Sequence, residues 1–303
     1  MPTPPKYKPK QKLTKPPPMP KAAVPTPKRF AVSPWTGTGE GEKILGYADT
    51  GMGKTTLFSM LPNPIFIGLD DGGRKIVNPK TGEPINHVPN ITTYEDVRAA
   101  LQQSGLFPKG SSCVIDTFTM LERLAEAHVL DIVPLPKGGG KAKNIKAYGW
   151  NEGSSHVLDA VRLVLQDLDA LVRNGVNIGL VCQEQAITMP NAEGMDYLKA
   201  GPKLHHDKSV SVMLEICAWA DHVFRIDYLN SAVRQEGERV VGKVVSPDAT
   251  RVISIAGAQH FQAKSRTLSK FAGEGGEPIT NISFETPADD SVWGFLFPQE
   301  DQS

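Results

Sequence analysis

The densest chemistry in the chain lies in nine consecutive residues, Ala48-Asp49-Thr50-Gly51-Met52-Gly53-Lys54-Thr55-Thr56. They fit the phosphate-loop pattern with Ala48 in place of its first glycine, because four residues separate that small side chain from Gly53-Lys54-Thr55. Glycines at 51 and 53 free the backbone to turn successive N–H groups toward a polyphosphate. A helix opening near Lys54 adds the positive end of its dipole. In this reading Lys54 meets the β- and γ-phosphates of ATP, and the Thr55 hydroxyl ligates Mg²⁺.

Asp116 is the natural companion of that loop. It ends the apolar run Cys113-Val114-Ile115, and a carboxylate at a sheet edge can hold the water shell of Mg²⁺. Taken alone it is also a candidate cap for a helix starting at Phe118. Hydrolysis further needs a group that orients or deprotonates the attacking water. Asp70 and Asp71 are the best carboxylates for it, read as ending a strand beside the loop strand, with Gly72-Gly73 behind them; an Asp-Gly-Gly surface turn is the plainer alternative. Gln183 and Gln185 leave another core strand, where an amide could sense the γ-phosphate, and Glu184 between them is a lesser candidate for the water. His205 and His206, beside Lys203 and Lys208, read as a solvated loop or a DNA contact. Lys264 and Arg266 follow the late strands and could be ordinary surface charge.

The elements that must hold these residues alternate. Lys43–Ala48 reads as a buried strand, followed by the loop and a helix that Pro62 ends; Ile65–Leu69 is a second strand. Helical spacing covers Thr93–Gln103, a strand covers 113–115, and two helices cover Phe118–Ile132 and about Asn151–Arg173. In the second of these, Val157, Val161, Val164, Leu165, Leu168 and Leu171 recur at three and four residues. A Lys- and Gly-bearing loop, 134–149, separates them. Val176–Cys182 is another buried strand, 186–210 reads as a mobile loop overlapping a possible helix at Ser209–Ala220, and strands follow near 221–228, 239–245 and 251–256. Strands alternating with helices predict an α/β fold, a mostly parallel central sheet with helices on both faces and late antiparallel strands. Ligands of such sheets bind at the carboxyl edge.

Composition narrows the class. With 303 residues, 40% hydrophobic and 22% charged, and a mean hydropathy of -0.26, the chain can bury a sizeable core. No apolar run reaches the roughly 18 to 20 residues of a membrane span. Cys113, Cys182 and Cys217 are few, odd in number and without metal-type spacing, so they read as reduced thiols of a cytosolic protein. The net charge of zero hides an asymmetry: residues 1–30 hold Lys6, Lys8, Lys10, Lys12, Lys15, Lys21, Lys28 and Arg29, with no acid and ten prolines. Such a stretch cannot build a core and reads as a disordered basic arm, a tether or an electrostatic contact with nucleic acid. The expected division is an arm over 1–34, a nucleotide-binding domain over 35–272 and an acidic, partly ordered tail over 273–303.

Taken together, the run Ala48–Thr56, the Asp-Asp-Gly-Gly at 70–73, Val114-Ile115-Asp116-Thr117 and the strand Val176–Gln185 resemble the RecA-like P-loop ATPases of phages. Within them the chain is similar to the AAA-type nucleotide-binding proteins that include the Sak-group single-strand-annealing recombinases. The similarity extends over about 42–270 and includes Ala263-Lys264-Ser265-Arg266, which looks like that family's late motif. It implies a RecA-type core, ATP with Mg²⁺, a homo-oligomer on single-stranded DNA, and work in phage recombination or replication. A single-strand-binding protein or other replication partner, and the host cytoplasm, go with that role. By the same analogy Lys264 and Arg266 reach the γ-phosphate held by a neighbouring subunit. Two departures stand out: Asp70 and Asp71 replace a pair that commonly contains glutamate, and Gln183 stands near a usual histidine. The shorter carboxylate predicts slow turnover with binding intact. A nucleotide-gated protein-binding module with little hydrolysis is the alternative. A small-molecule kinase lacks an arginine-rich lid.

Overall fold

The computed structural model describes Val32, Pro34 and residues 39–191, 194–229, 231–236, 239–244, 250–271, 273 and 276–298. Every element named here belongs to the compact unit Thr38–Ser303. The basic arm lies outside the described residues apart from Val32 and Pro34, as do the side chains of Asp71 and Lys137.

The first half of the unit follows the expected alternation. Strand β1 (Lys43–Ala48) leads through the glycine loop to a short helix, α1 (Lys54–Phe58). Then come β2 (Pro64–Gly68), β3 (Asn86–His87), α2 (Tyr94–Gln102), β4 (Ser112–Asp116), α3 (Phe118–Ile132) and α4 (Glu152–Arg173). The second half holds β5 (Asn177–Met189), β6 (Tyr197–Pro202), α5 (Val212–Trp219) and β7 (His222–Tyr228). It continues with β8 (Ser231–Glu236), β9 (Arg239–Val244), β10 (Arg251–Ser254), β11 (Lys264–Ser265), β12 (Asn281–Phe284) and α6 (Ser291–Leu296).

The main sheet runs β12-β10-β7-β1-β5-β4-β2-β3. It is parallel from β7 to β3, while β10 and β12 add antiparallel strands at the other side. Helices cover both faces, which is why β1 and β4 are continuous apolar runs instead of alternating ones. Leu45, Tyr47, Ile115 and Ile178 face α2 to α5. Ile44, Val114, Val181 and Phe224 face α1 and α6. Helix α1 sits unusually close to the sheet: a Cβ on Gly46 would lie 2.5 Å from the Phe58 ring, and one on Gly179 would lie 2.7 Å from it. These two glycines in β1 and β5 are the cradle for Phe58, and they seat the helix that follows the loop.

Three expectations are corrected. Strand β2 is not beside β1; β5 and β4 lie between them. An apolar run carries no mark of its neighbour in the sheet, and the crossover helices decide it. The segment 186–210 is not a loop throughout, because β5 continues to Met189 and pairs with β6 from Glu184↔Pro202 to Met189↔Tyr197. That ribbon is mostly half-buried or exposed, and its mixed apolar and polar residues make no continuous buried run, so its backbone ladder leaves little hydrophobic signature in the sequence. Finally, residues beyond 272 are not simply a tail. Strand β12 extends the sheet, and Trp293 of α6 is buried against Phe58 and donates its Nε1–H to the Leu57 carbonyl at 2.9 Å.

Candidate functional site

The loop leaves β1 at its carboxyl end and makes two left-handed turns, φ +82° at Gly51 and +85° at Gly53. At Gly53 a side chain is excluded twice over. The backbone conformation disfavours one, and a Cβ would come within 2.7 Å of the Arg251 guanidinium. Met52 turns its side chain into the core, so this residue offers the loop only its backbone. Lys54 is buried and folds back, donating to the carbonyls of Ala48 at 3.0 Å and Asp49 at 2.7 Å. Burial pushes its pKa down, opposed by the charges of Asp116 and Asp49.

Across from the loop, the Thr55 hydroxyl donates to Asp116 Oδ2 at 2.7 Å. The cap of α3 is Thr117, whose side chain accepts from Met120 N, so the Asp116 carboxylate is free for Thr55. Burial pushes the Asp116 carboxyl up to about 6; the Thr55 bond and Lys54 pull it down, and the charge of Asp70 pushes the same way as burial. A buried carboxylate short of positive charge, bonded to a hydroxyl on the loop helix, is a donor set suited to a hard cation with oxygen ligands. Asp116 and Thr55 would hold Mg²⁺, with phosphates filling further positions.

Asp70, Gln183, Lys54, Thr55 and Thr56 share one cavity of about 380 Å³ with Thr50, Gly51 and Gly53. Asp70 lies at the end of β2, where its Oδ1 accepts from Gly72 N at 2.9 Å and caps the turn that follows. Gln183 reaches the cavity because β5, not β2, adjoins β1: Ala48 and Gln183 are register partners. Its Oε1 accepts from Lys203 Nζ at 3.3 Å. A larger cavity of about 710 Å³, walled by Phe66, Ile85 and Val88, adjoins through Asp70, Ile76 and Asp116.

Other expected residues stand apart. Gln185 donates to the Pro202 and Leu204 carbonyls, at 3.2 and 2.6 Å, and serves the β5–β6 ribbon. Glu184 is held in a two-point bond with Arg225 at 2.9 and 3.2 Å, which removes it as a candidate for the water. Lys264 and Arg266 lie at the opposite edge of the sheet. Lys264 pairs with Val223 in β7, which itself pairs with Leu45 of β1, three residues or ~10 Å below Ala48. There Lys264 donates to the Ala218 carbonyl at 3.1 Å and Arg266 pairs with Asp221 at 3.3 Å. His205 and His206 line a third cavity, with Glu122 and Gln185. Glu122 is buried, accepts from His205 N at 2.8 Å, and its carboxyl is pushed up to about 7 by burial.

Two residues of interest carried no motif. Arg251 donates to the Met52 carbonyl at 3.0 Å from β10, far away in sequence. Trp150 stands wholly in solvent with φ +34°; an aromatic closing a loop rich in lysine and glycine was the available signal. Among the described residues no group of acids, histidines and cysteines is clustered to hold a metal by itself, and no helix is long and apolar enough to cross a membrane.

The sequence matches the family described as AAA domain over residues 40–267. Among solved structures the chain is similar to the RadB recombinase, at 10% identity and a TM-score of 0.40, covering 82% of this chain and 90% of that one. It is also similar to the flagellar accessory protein FlaH from Methanocaldococcus jannaschii, at 9% identity and a TM-score of 0.37, covering 82% and 86%. No curated protein matches the sequence.

Proposed function

Because the chain belongs to the AAA domain family, we propose that it is a RecA-like, Mg²⁺-dependent ATPase acting as a homo-oligomer on single-stranded DNA in phage recombination or replication, in the host cytoplasm. The observation that carries the nucleotide reading is the 2.7 Å bond from Thr55 to Asp116 beside the glycine loop. In this reading the loop amides and Lys54 bind the β- and γ-phosphates of ATP, Lys54 exchanging its two carbonyl partners for phosphate oxygens. Mg²⁺ held by Thr55 and Asp116 would neutralise charge that develops on those oxygens. Asp70 orients the attacking water and accepts its proton, and Gln183, paired in register with Ala48 at the start of the loop, senses the γ-phosphate. Lys264 and Arg266 are too far down the sheet to serve their own site, which supports a role toward a neighbouring subunit's nucleotide.

The DNA half rests on a surface. Trp150 and Asn151 are consecutive left-handed residues, φ +34° and +61°, and a bulky residue in that region is strained. The strain aims an indole into water two residues after Tyr148, which is anchored by its hydroxyl to the Val133 carbonyl at 2.7 Å. Exposed Lys141, Lys143 and Lys146 precede it. Asn151 donates to Ser209 Oγ at 2.6 Å, which joins this loop to the one bearing Lys203, His206 and Lys208. An exposed aromatic ring among cations suits a single strand, whose bases stack and whose phosphates pair with the charges.

The test is ATP turnover with and without single-stranded DNA, read beside particle size in solution. Turnover that rises with DNA and a particle larger than one chain are expected. A second reading, a nucleotide-gated module that binds a protein partner with little hydrolysis, is favoured by Asp70, whose short carboxylate already caps its own turn. Tight ATP binding with negligible turnover and no response to DNA would establish it instead.

A further inference from the structure

We propose that Arg251 is a positioning residue of the phosphate loop: by holding the Met52 carbonyl from behind, it aims the Gly53 N–H at the phosphates. The inference rests on the nucleotide reading above. In a trans peptide the C=O and N–H point in opposite directions. The Met52 carbonyl is held by Arg251 Nη1 at 3.0 Å, while Gly53 lines the cavity on the other side. Fixing one end of the Met52–Gly53 peptide therefore fixes the other.

The arginine is itself held. Its guanidinium lies 4.4 Å from the centre of the buried Phe284 ring, and Arg251 and Phe284 are register partners in β10 and β12. The planar group thus has one face on the ring and an N–H on the loop, which a flexible ammonium would not reproduce in both respects. The loop needs such a brace. Helix α1 has only five residues, too few to be stable without tertiary support. A glycine on each side of Met52, both at positive φ, leaves that peptide little conformational restraint of its own. Support therefore arrives from the carboxyl-terminal strands: Arg251 grips the loop before α1, and Trp293 grips the Leu57 carbonyl at the far end of the helix.

The experiment uses the full chain, with mant-ADP fluorescence for binding and inorganic pyrophosphate as a base-free competitor. Arg251→Met keeps the stem and removes the donors; in a protein that still folds cooperatively, it is expected to weaken both mant-ADP and pyrophosphate by about ten- to a hundredfold. Arg251→Lys, which restores one charged donor, is expected to recover a substantial part of the loss. Equal binding by folded Arg251→Met and wild type overturns the role of Arg251. So does a loss confined to mant-ADP with pyrophosphate unchanged, because the effect would then lie on the base. If Arg251→Met fails to fold, Arg251→Gln carries the test: its amide ends two bonds short of the Nη1 that holds the Met52 carbonyl and has no charge, so a folded protein that binds both probes at least about fivefold more weakly than wild type supports the brace, and one that binds both within about fivefold overturns it. A wild-type protein that binds neither probe removes the nucleotide reading and this inference with it.

Discussion

Thr55 and Asp116, separated by 61 residues in sequence, share a 2.7 Å hydrogen bond at the carboxyl edge of the sheet. The bond crosses β5, the strand inserted between β1 and β4. It links the loop helix to the carboxylate through a single proton, in the place where a cation with oxygen ligands would sit between them.

The Asp116 carboxyl gives a pH dependence with a definite sign. Its folded value, about 6, lies above the ordinary range near 4, so the folded protein binds this proton more tightly than the unfolded chain. The associated stability is present below about pH 4 and is lost as pH rises through about 6. Asp116→Asn should therefore stabilise the nucleotide-free protein at pH 8, by up to about 3 kcal/mol, and raise its melting temperature, with the gain shrinking toward pH 4. The same variant should lose the Mg²⁺ dependence of nucleotide binding. Melting curves at pH 5 and 8, with and without Mg²⁺, check both; a variant less stable than wild type at pH 8 contradicts the burial argument.

Lys54→Ala should abolish ATP binding, a loss of at least about a hundredfold from the missing charged donor. It is not expected to be neutral for the fold. The ammonium satisfies two carbonyls in the nucleotide-free protein, and leaving them unpaired costs about 1 to 2 kcal/mol. Calorimetric titration with ATP and a denaturant melt separate the two effects.

Trp293 should behave as a core residue. Trp293→Ala is expected to destabilise by about 3 to 5 kcal/mol. Trp293→Phe, which keeps the ring against Phe58 but removes the donor to the Leu57 carbonyl, should cost about 1 to 2 kcal/mol. Chemical denaturation gives both numbers, and a Trp293→Ala protein as stable as wild type would return the segment to the status of a tail.

Trp150→Ala should leave stability unchanged, since the ring packs on nothing. Its affinity for a labelled oligothymidine should fall by about 1 to 3 kcal/mol, with the salt slope unaltered. Lys143→Ala with Lys146→Ala should flatten that slope instead, as should removal of residues 1–30. Fluorescence anisotropy across a salt series reads all three; a Trp150→Ala protein that binds as wild type does removes the ring from the interface.

Local chemistry announced itself in the linear chain. The glycine loop, Asp116 at the end of an apolar strand, the helices α3 and α4 and the α/β alternation are each built from a short stretch whose side chains state their own preference, so pattern alone located them. The order of strands was not legible, because adjacency is decided by how crossover helices pack and not by any strand's composition. That order removed Asp70 from the strand beside the loop and brought Gln183 there. It also turned Glu184 toward Arg225 and Gln185 toward the ribbon carbonyls, although all three residues are adjacent in sequence. Arg251, Phe284 and Trp293 lie some two hundred residues from the loop they support. Such contacts need only an arginine or an aromatic ring at one point in space, and nothing in the neighbouring sequence records where that point will be.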